Sequence, residues 1–275
     1  MIEPVRSTDP GDYQAVPRPL AAMAKQFPDG FSIQPHSHAR DQLVYAVTGT
    51  MRVHTEREAW IVPTDRAVYL PAGIVHAIDM RGDVGMRTVY LLRAVASDLP
   101  REPTVIEVSA LLRALILALV EEPVLYDEAG RGGAIARLIL SEIGRAPVLP
   151  LGLPMPDDAR LRRVCLALLA DPADPRGLEG WAEMAGASAR TLARLFEREV
   201  GVGFIAWRQR VRFHSAMESL ARGETVARVA ARHGYRSTSA FTAAFRRTMG
   251  VAPSTAIAKK PVLGQGPIGR TRPTG

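Results

Sequence analysis

The sequence predicts an α+β protein of two domains, with an antiparallel β-barrel or sandwich in front and an all-helical domain behind. Three observations carry that expectation. Between residues 31 and 96, apolar residues fall in short runs broken by turn signals. From residue 104 the apolar spacing becomes helical. Beyond residue 157 one helix pair occurs twice.

Residues 1–30 are rich in Pro and Gly and read as a loose arm. In 31–100, Val44, Val47, Met51, Val53 and Trp60–Val62 mark strands. Thr48-Gly49, Pro63-Thr64-Asp65, Pro71-Ala72-Gly73 and Arg81-Gly82-Asp83 separate them. Residues 101–146 read as two linking helices, 104–121 and 132–146, the first stopped by Pro123. Their aliphatic face (Leu111, Leu112, Leu115, Ile116, Leu119) suits either pairing of two chains or packing within one. Residues 147–156 hold four prolines and read as a stiff linker. Residues 157–258 read as helical, and 259–275 as a disordered tail.

Composition narrows the function. The chain has 275 residues, of which 47% are hydrophobic, enough for a sizeable core in each domain. The single cysteine, Cys165, excludes an internal disulfide and a multi-cysteine zinc site. It fits a reducing compartment, and with no apolar leader or membrane-length run the expected location is cytoplasmic. Charge is uneven: residues 1–156 carry 15 basic and 18 acidic side chains, residues 157–260 carry 18 and 10. A basic back half points to a polyanion there.

The duplicated pair is specific. Ala182, Gly186, Leu192, Phe196 and Gly201 recur as Ala230, Gly234, Phe241, Phe245 and Gly250. The offset rises from 48 to 49 at the turn. Each copy is a helix, a glycine turn, a hydroxyl cap (Ser188 or Ser237) and a second helix, which describes a helix-turn-helix. One long helix, about 204–221, joins the copies. The second helix of such a unit can enter a major groove with its first residues at base edges. The outward positions are Arg190, Ala193 and Arg194 in the first copy, and Thr238, Ser239, Thr242 and Ala243 in the second. Arginine forks suit guanine; the short side chains suit fewer contacts. Ser188, Ser237, Arg208, Arg212, Arg246 and Arg247 are phosphate candidates. The competing reading is a solvated arginine face.

Residues 157–256 resemble the DNA-binding domain of AraC/XylS-type transcription regulators. The resemblance rests on Val226, Val229, Ala230, Gly234, Tyr235, Ser239, Phe241, Phe245, Arg246, Gly250 and Pro253. Ala243 and Ala252 depart from the family pattern. The front domain resembles a cupin: His36, His38, Gln42 and Gly49 meet one motif, and Pro71, Gly73 and His76 the other. Gln42 stands where that family carries glutamate, and Asp65 where it carries glycine.

The resemblance implies a cupin-type β-barrel plus linking helices, followed by an all-α domain with two helix-turn-helix units. It implies a sequence-specific regulator rather than an enzyme, with promoter DNA, a small-molecule effector and a second copy of the chain as partners. RNA polymerase joins them if the protein activates. His36, His38, Gln42, Trp60 and His76 become the effector-pocket candidates. His36, His38, Gln42 and His76 are also candidate ligands of a divalent metal, against a metal-free pocket. His54 reads as surface, and His214 and His233 as packing or phosphate-side groups. Two other functions stay open: a metal-dependent cupin enzyme with a helical accessory domain, and a constitutive DNA binder with a degenerate barrel.

Overall fold

A computed structural model describes residues 7–149, 151–221, 223–249 and 252–253. Gly250 and the expected tail at 259–275 lie outside the described residues. The front half is a sandwich of two antiparallel sheets. One sheet runs β1 (Leu20–Phe27), β8 (Val84–Leu91), β3 (Asp41–Ala46), β6 (Arg66–Leu70), β9 (Thr104–Glu107), β10 (Val148–Leu149). The other runs β11 (Leu153–Pro154), β5 (Glu58–Val62), β4 (Thr50–Thr55), β7 (His76–Arg81), β2 (Ser32–His36).

The first sheet is covered on both faces, which is why β3 is buried along its whole length and runs apolar from Leu43 to Ala46. Val44 points between the sheets with Met51, Val53, Ile78 and Tyr90. Leu43 and Tyr45 point outward, under helices α1 (Ala110–Glu121) and α2 (Arg131–Arg145). Leu112, Leu115, Ile116 and Leu119 fill that outer layer with Ile135 and Ile139. Four of the five aliphatic residues considered for pairing two chains therefore pack within this one. Leu111, 51% exposed, and Leu138, 48% exposed, remain outside.

Three expectations are corrected here. The arm at 1–30 contains β1, paired with β8 over eight residues; its Leu20 to Met23 are all buried. The helix expected from 104 starts at Ala110, capped by the Ser109 hydroxyl. Thr104–Glu107 instead pairs with β6, because Val105 and Ile106 serve opposite faces of the sheet. The 147–156 linker is a strap rather than a free spacer. It adds β10 to one sheet and β11 to the other, and buries Leu151, Leu153 and Met155.

The back half comprises α3 (Ala159–Ala170), α4 (Leu178–Ala185), α5 (Ala189–Leu195), α6 (Phe204–Ala221), α7 (Val226–Arg232) and α8 (Thr238–Met249). A π-helical turn, Phe196–Val200, prolongs α5. The half is not detached from the barrel. The Trp207 indole donates to the Pro154 carbonyl at 3.1 Å, and Arg162 of α3 donates to the Thr55 and Glu56 carbonyls. Phe213, Met217 and Phe245 join the same apolar cluster as the inside of the sandwich.

Candidate functional site

The two helix pairs are built alike. Gly186 ends α4 at φ 68°, and Gly234 follows α7 at φ 77°, a left-handed bend that a side chain would strain. Ser188 Oγ then accepts from the Thr191 amide, and Ser237 Oγ from the Ala240 amide, both at 3.1 Å. Leu192 and Phe196 in the first pair, and Phe241 and Phe245 in the second, are fully buried. Burying that face sets what the other presents. Arg190 and Arg194 are exposed on α5, with Ala193 half-buried between them. On α8, Thr238, Ser239 and Ala243 are exposed and Thr242 is half-buried. Arg246 and Arg247 are exposed toward its C-terminal end. Tyr235 fixes α8 to α6 by stacking on Phe213 at 6.2 Å and accepting from Gln209 at 2.9 Å.

The front half gathers a different set. His36 ends β2, His76 starts β7, and His38 lies between β2 and β3. Their ring centroids stand 4.3 to 5.5 Å apart. One ring nitrogen from each can be chosen so that all lie within 4.8 Å of one another. His36 Nδ1 donates to the Gln34 carbonyl at 2.8 Å, and His76 Nδ1 to the Ile74 carbonyl at 2.9 Å. A carbonyl only accepts, so these bonds put the proton on Nδ1 and leave the Nε2 lone pairs for a ligand. Nε2 of His38, Nε2 of His76 and Oε1 of Gln42 are buried without a hydrogen-bond partner. Burial lowers the pKa of His38 to about 4, assisted by His36 and His76. Burial likewise lowers His76 to about 4, against the opposing Ile74 hydrogen bond. Neutral imidazoles with unused lone pairs beside an orphaned amide oxygen fit a divalent cation.

A cavity of about 280 Å³ adjoins this cluster. Met23, Phe27, Phe31, Ile33, Ile78 and Met86 supply apolar wall; Lys25, Gln42 and Tyr90 supply polar groups. The buried Asp41 carboxylate accepts from Tyr69 at 2.5 Å, Arg93 at 2.8 Å and the Ala72 amide at 2.7 Å. It thereby anchors the turn that delivers His76.

Sequence comparison identifies both domains. Residues 181–259 match a helix-turn-helix domain family, and residues 25–92 match a cupin domain family. The chain is 29% identical over 224 residues to the HTH-type transcriptional regulator NimR of Escherichia coli, covering 82% of each chain. It is 41% identical over 102 residues to the HTH-type transcriptional regulator RipA of Corynebacterium glutamicum, covering 37% of this chain and 31% of RipA. The chain thus carries an AraC-type helix-turn-helix domain at its C-terminal end and a cupin domain in front of it. Among solved structures, ToxT of Vibrio cholerae aligns over 88% of this chain and 99% of its own, with 11% identity and a TM-score of 0.36.

The structure does not bring every candidate residue to a site. Trp60 is absent from the wall of the histidine cavity. It lies on β5, separated from β2 by β4 and β7, and pairs with Val53 in the buried interior of the sandwich. Arg208 and Arg212 are not free cations. Arg208 donates to the Asp174 and Arg176 carbonyls, and Arg212 Nε to the Pro172 carbonyl at 3.2 Å. They hold the loop between α3 and α4, whose carbonyls face α6. His214 is wholly buried, with its pKa lowered to about 3 by burial and by Arg66 and Arg210. His54 is half-buried, 3.4 Å from Asp79.

Other residues were passed over. Arg236 is exposed at the entrance to α8. It lies in the turn that is one residue longer than its counterpart, and that length difference was its only signal. Lys25, Phe27 and Tyr90 carried none, because they reach the cavity only through the β1–β8 and β3–β8 pairings.

Proposed function

We propose that the chain binds promoter DNA with α5 and α8 in successive major-groove segments, and that a small molecule in the barrel governs this binding. The single observation that carries the first part is the pair of alike units with separate cores joined by one helix. At 18 residues, α6 is about 27 Å long, commensurate with the roughly 34 Å turn of DNA. Arg190 and Arg194 read bases from α5, and Thr238, Ser239, Thr242 and Ala243 make the more tolerant contacts from α8. Ser188, Ser237, Arg246 and Arg247 contact phosphates, and Arg236 joins them.

The 280 Å³ cavity supports an effector site over a filled, degenerate barrel. His36, His38 and His76 hold a divalent ion, with Gln42 as a neutral oxygen donor. When bound, the ion supplies a Lewis-acid anchor for a donor atom of the effector. The chain's own part is to orient three imidazoles, to keep those of His38 and His76 neutral by burial, and to surround the ligand with apolar side chains. That relatives are named transcriptional regulators points to a regulator rather than an enzyme. No described helix is long and apolar enough to cross a membrane, and a cytoplasmic homodimer completes the reading. Exposed Leu111 and Leu138 on α1 and α2 offer its contact, and RNA polymerase is a partner if the protein activates.

The deciding experiment retains genomic fragments on the purified full chain at moderate salt and sequences them. Recovery of a few promoters with two elements one turn apart is expected. Uniform retention of all fragments would sink sequence-specific regulation.

A further inference from the structure

One sheet of the barrel faces the cavity on one side and the DNA-binding domain on the other. Along β4 and β7, successive side chains alternate between those sides. Ile78 lines the histidine cavity and pairs with Val53. The next rung pairs Asp79 with Arg52, and Arg52 points away from the cavity. Arg52 Nε donates to Glu218 Oε1 of α6 at 3.3 Å, and its Nη1 donates to the Leu169 carbonyl of α3. The two charged side chains are only 11% and 7% exposed. At the preceding position of α6, the Met217 sulfur accepts from Arg66 Nη1 at 3.1 Å. Arg66 belongs to the other sheet. Two arginines, one from each sheet, thus hold adjacent positions on the helix that joins the two DNA-reading units.

The packing around this clasp is incomplete. A cavity of about 70 Å³ lies between Arg52, His54, Asp79 and Arg81 of the barrel and Leu166 and Leu169 of α3. Arg81 Nε is buried without a hydrogen-bond partner. Apolar interlocking does not fix the register at such a spot. A buried charge pair does, because displacing either member strands the other.

We propose that the Arg52–Glu218 pair is the positioning contact through which occupancy of the histidine cavity alters DNA affinity. The proposal rests on the reading of that cavity as the effector site. A ligand that displaces Ile78 moves β7, and the rungs between β7 and β4 carry the movement to Arg52. The pair then biases α6 toward one placement, and coupling follows if DNA prefers the same one.

The test uses the full chain, zinc ion alone as probe, and a promoter duplex from the selection above or, if none is recovered, a random-sequence duplex. Calorimetry gives zinc stoichiometry, fluorescence anisotropy gives DNA affinity, and thermal unfolding confirms that each variant is folded. In the wild type, zinc is expected to change DNA affinity about fivefold or more. In Glu218→Gln, zinc binds with the same stoichiometry but changes DNA affinity less than about twofold. Glu218→Asp, which keeps the charge, retains part of the wild-type response. A full zinc response in Glu218→Gln overturns the proposal.

If zinc does not bind, the metal reading fails on its own; if it binds without effect on DNA, zinc alone is not the effector. A ligand-free double-mutant cycle between Ile78→Ala and Glu218→Gln then decides the relay. Effects on DNA affinity that depart from simple multiplication by about threefold sustain it. Effects that multiply overturn it.

Discussion

The barrel and the DNA-binding domain place their candidate site groups in opposite environments. In the back half, Arg190, Arg194, Thr238 and Ser239 are exposed on helices whose other faces are buried. In the front half, the working atoms are buried and neutral: Nε2 of His38 and His76, and Oε1 of Gln42. The first arrangement keeps cations in water until a polyanion displaces it. The second buries atoms with unused lone pairs, which suit a cation or a donor-bearing ligand. DNA binding by the back half should therefore answer to salt and the histidine cluster of the front half to acid, and the units should tolerate changed DNA-facing residues better than changed cores.

The largest effect tests the core. Phe245→Ala empties a wholly buried aromatic site that Phe213 and Phe241 contact at 5.2 and 5.5 Å. It should destabilise the protein by about 3–5 kcal/mol in urea unfolding. A loss below about 1 kcal/mol would show that the second unit is not packed as described.

Acid tests the front half. An ordinary histidine, as in the unfolded chain, titrates near 6.5, but His38 and His76 in the fold titrate at about 4. The unfolded state therefore takes up protons first as pH falls. Stability from these neutral rings is complete above 6.5 and is lost progressively as pH falls toward 4. Tm should drop across that window, with the buried His214 of α6 contributing in every variant, and less steeply in His38→Asn. A Tm unchanged between pH 7 and about 4.5 would contradict the burial of these rings.

Next come the readers. Arg194→Ala should weaken cognate binding by about 1–3 kcal/mol and relax preference at one base pair. Thr242→Ala should cost less than about 1 kcal/mol, since a lone hydroxyl lacks the arginine fork. Equal losses measured by anisotropy would remove the proposed asymmetry between the units.

The smallest effect separates two kinds of arginine. Arg246→Ala should lower the salt slope of DNA binding by about 1. Arg208→Ala should leave that slope unchanged and lower Tm instead, because its guanidinium already serves the carbonyls of Asp174 and Arg176. A reduced slope in Arg208→Ala would return it to the phosphate contacts.

The helix pairs were legible from sequence because their signals are local. The buried residues recur at helical spacing, the turns need glycine, and Ser188 and Ser237 cap within their own segments. The same local logic identified His36 and His38, two residues apart, and His76 after a Pro-x-Gly turn. It failed where long-range pairing overrides local composition. A Pro- and Gly-rich beginning still supplied β1, because an eight-residue partner strand satisfies its backbone. A proline-rich linker still formed two strands, because each sheet left an edge within reach.

Sequence alone therefore determined the α+β class, the duplicated units with their outward faces, and three histidines as a candidate set. Tertiary structure decided that Trp60 sits away from those histidines, that Arg208 and Arg212 are occupied, and that Lys25, Phe27 and Tyr90 line the cavity. It also decided that Arg52 meets Glu218, 166 positions along the chain. Periodicity and capping act over a few residues of one chain segment. Pocket walls and buried ion pairs form only when distant segments are brought together, and no local pattern encodes which ones will meet.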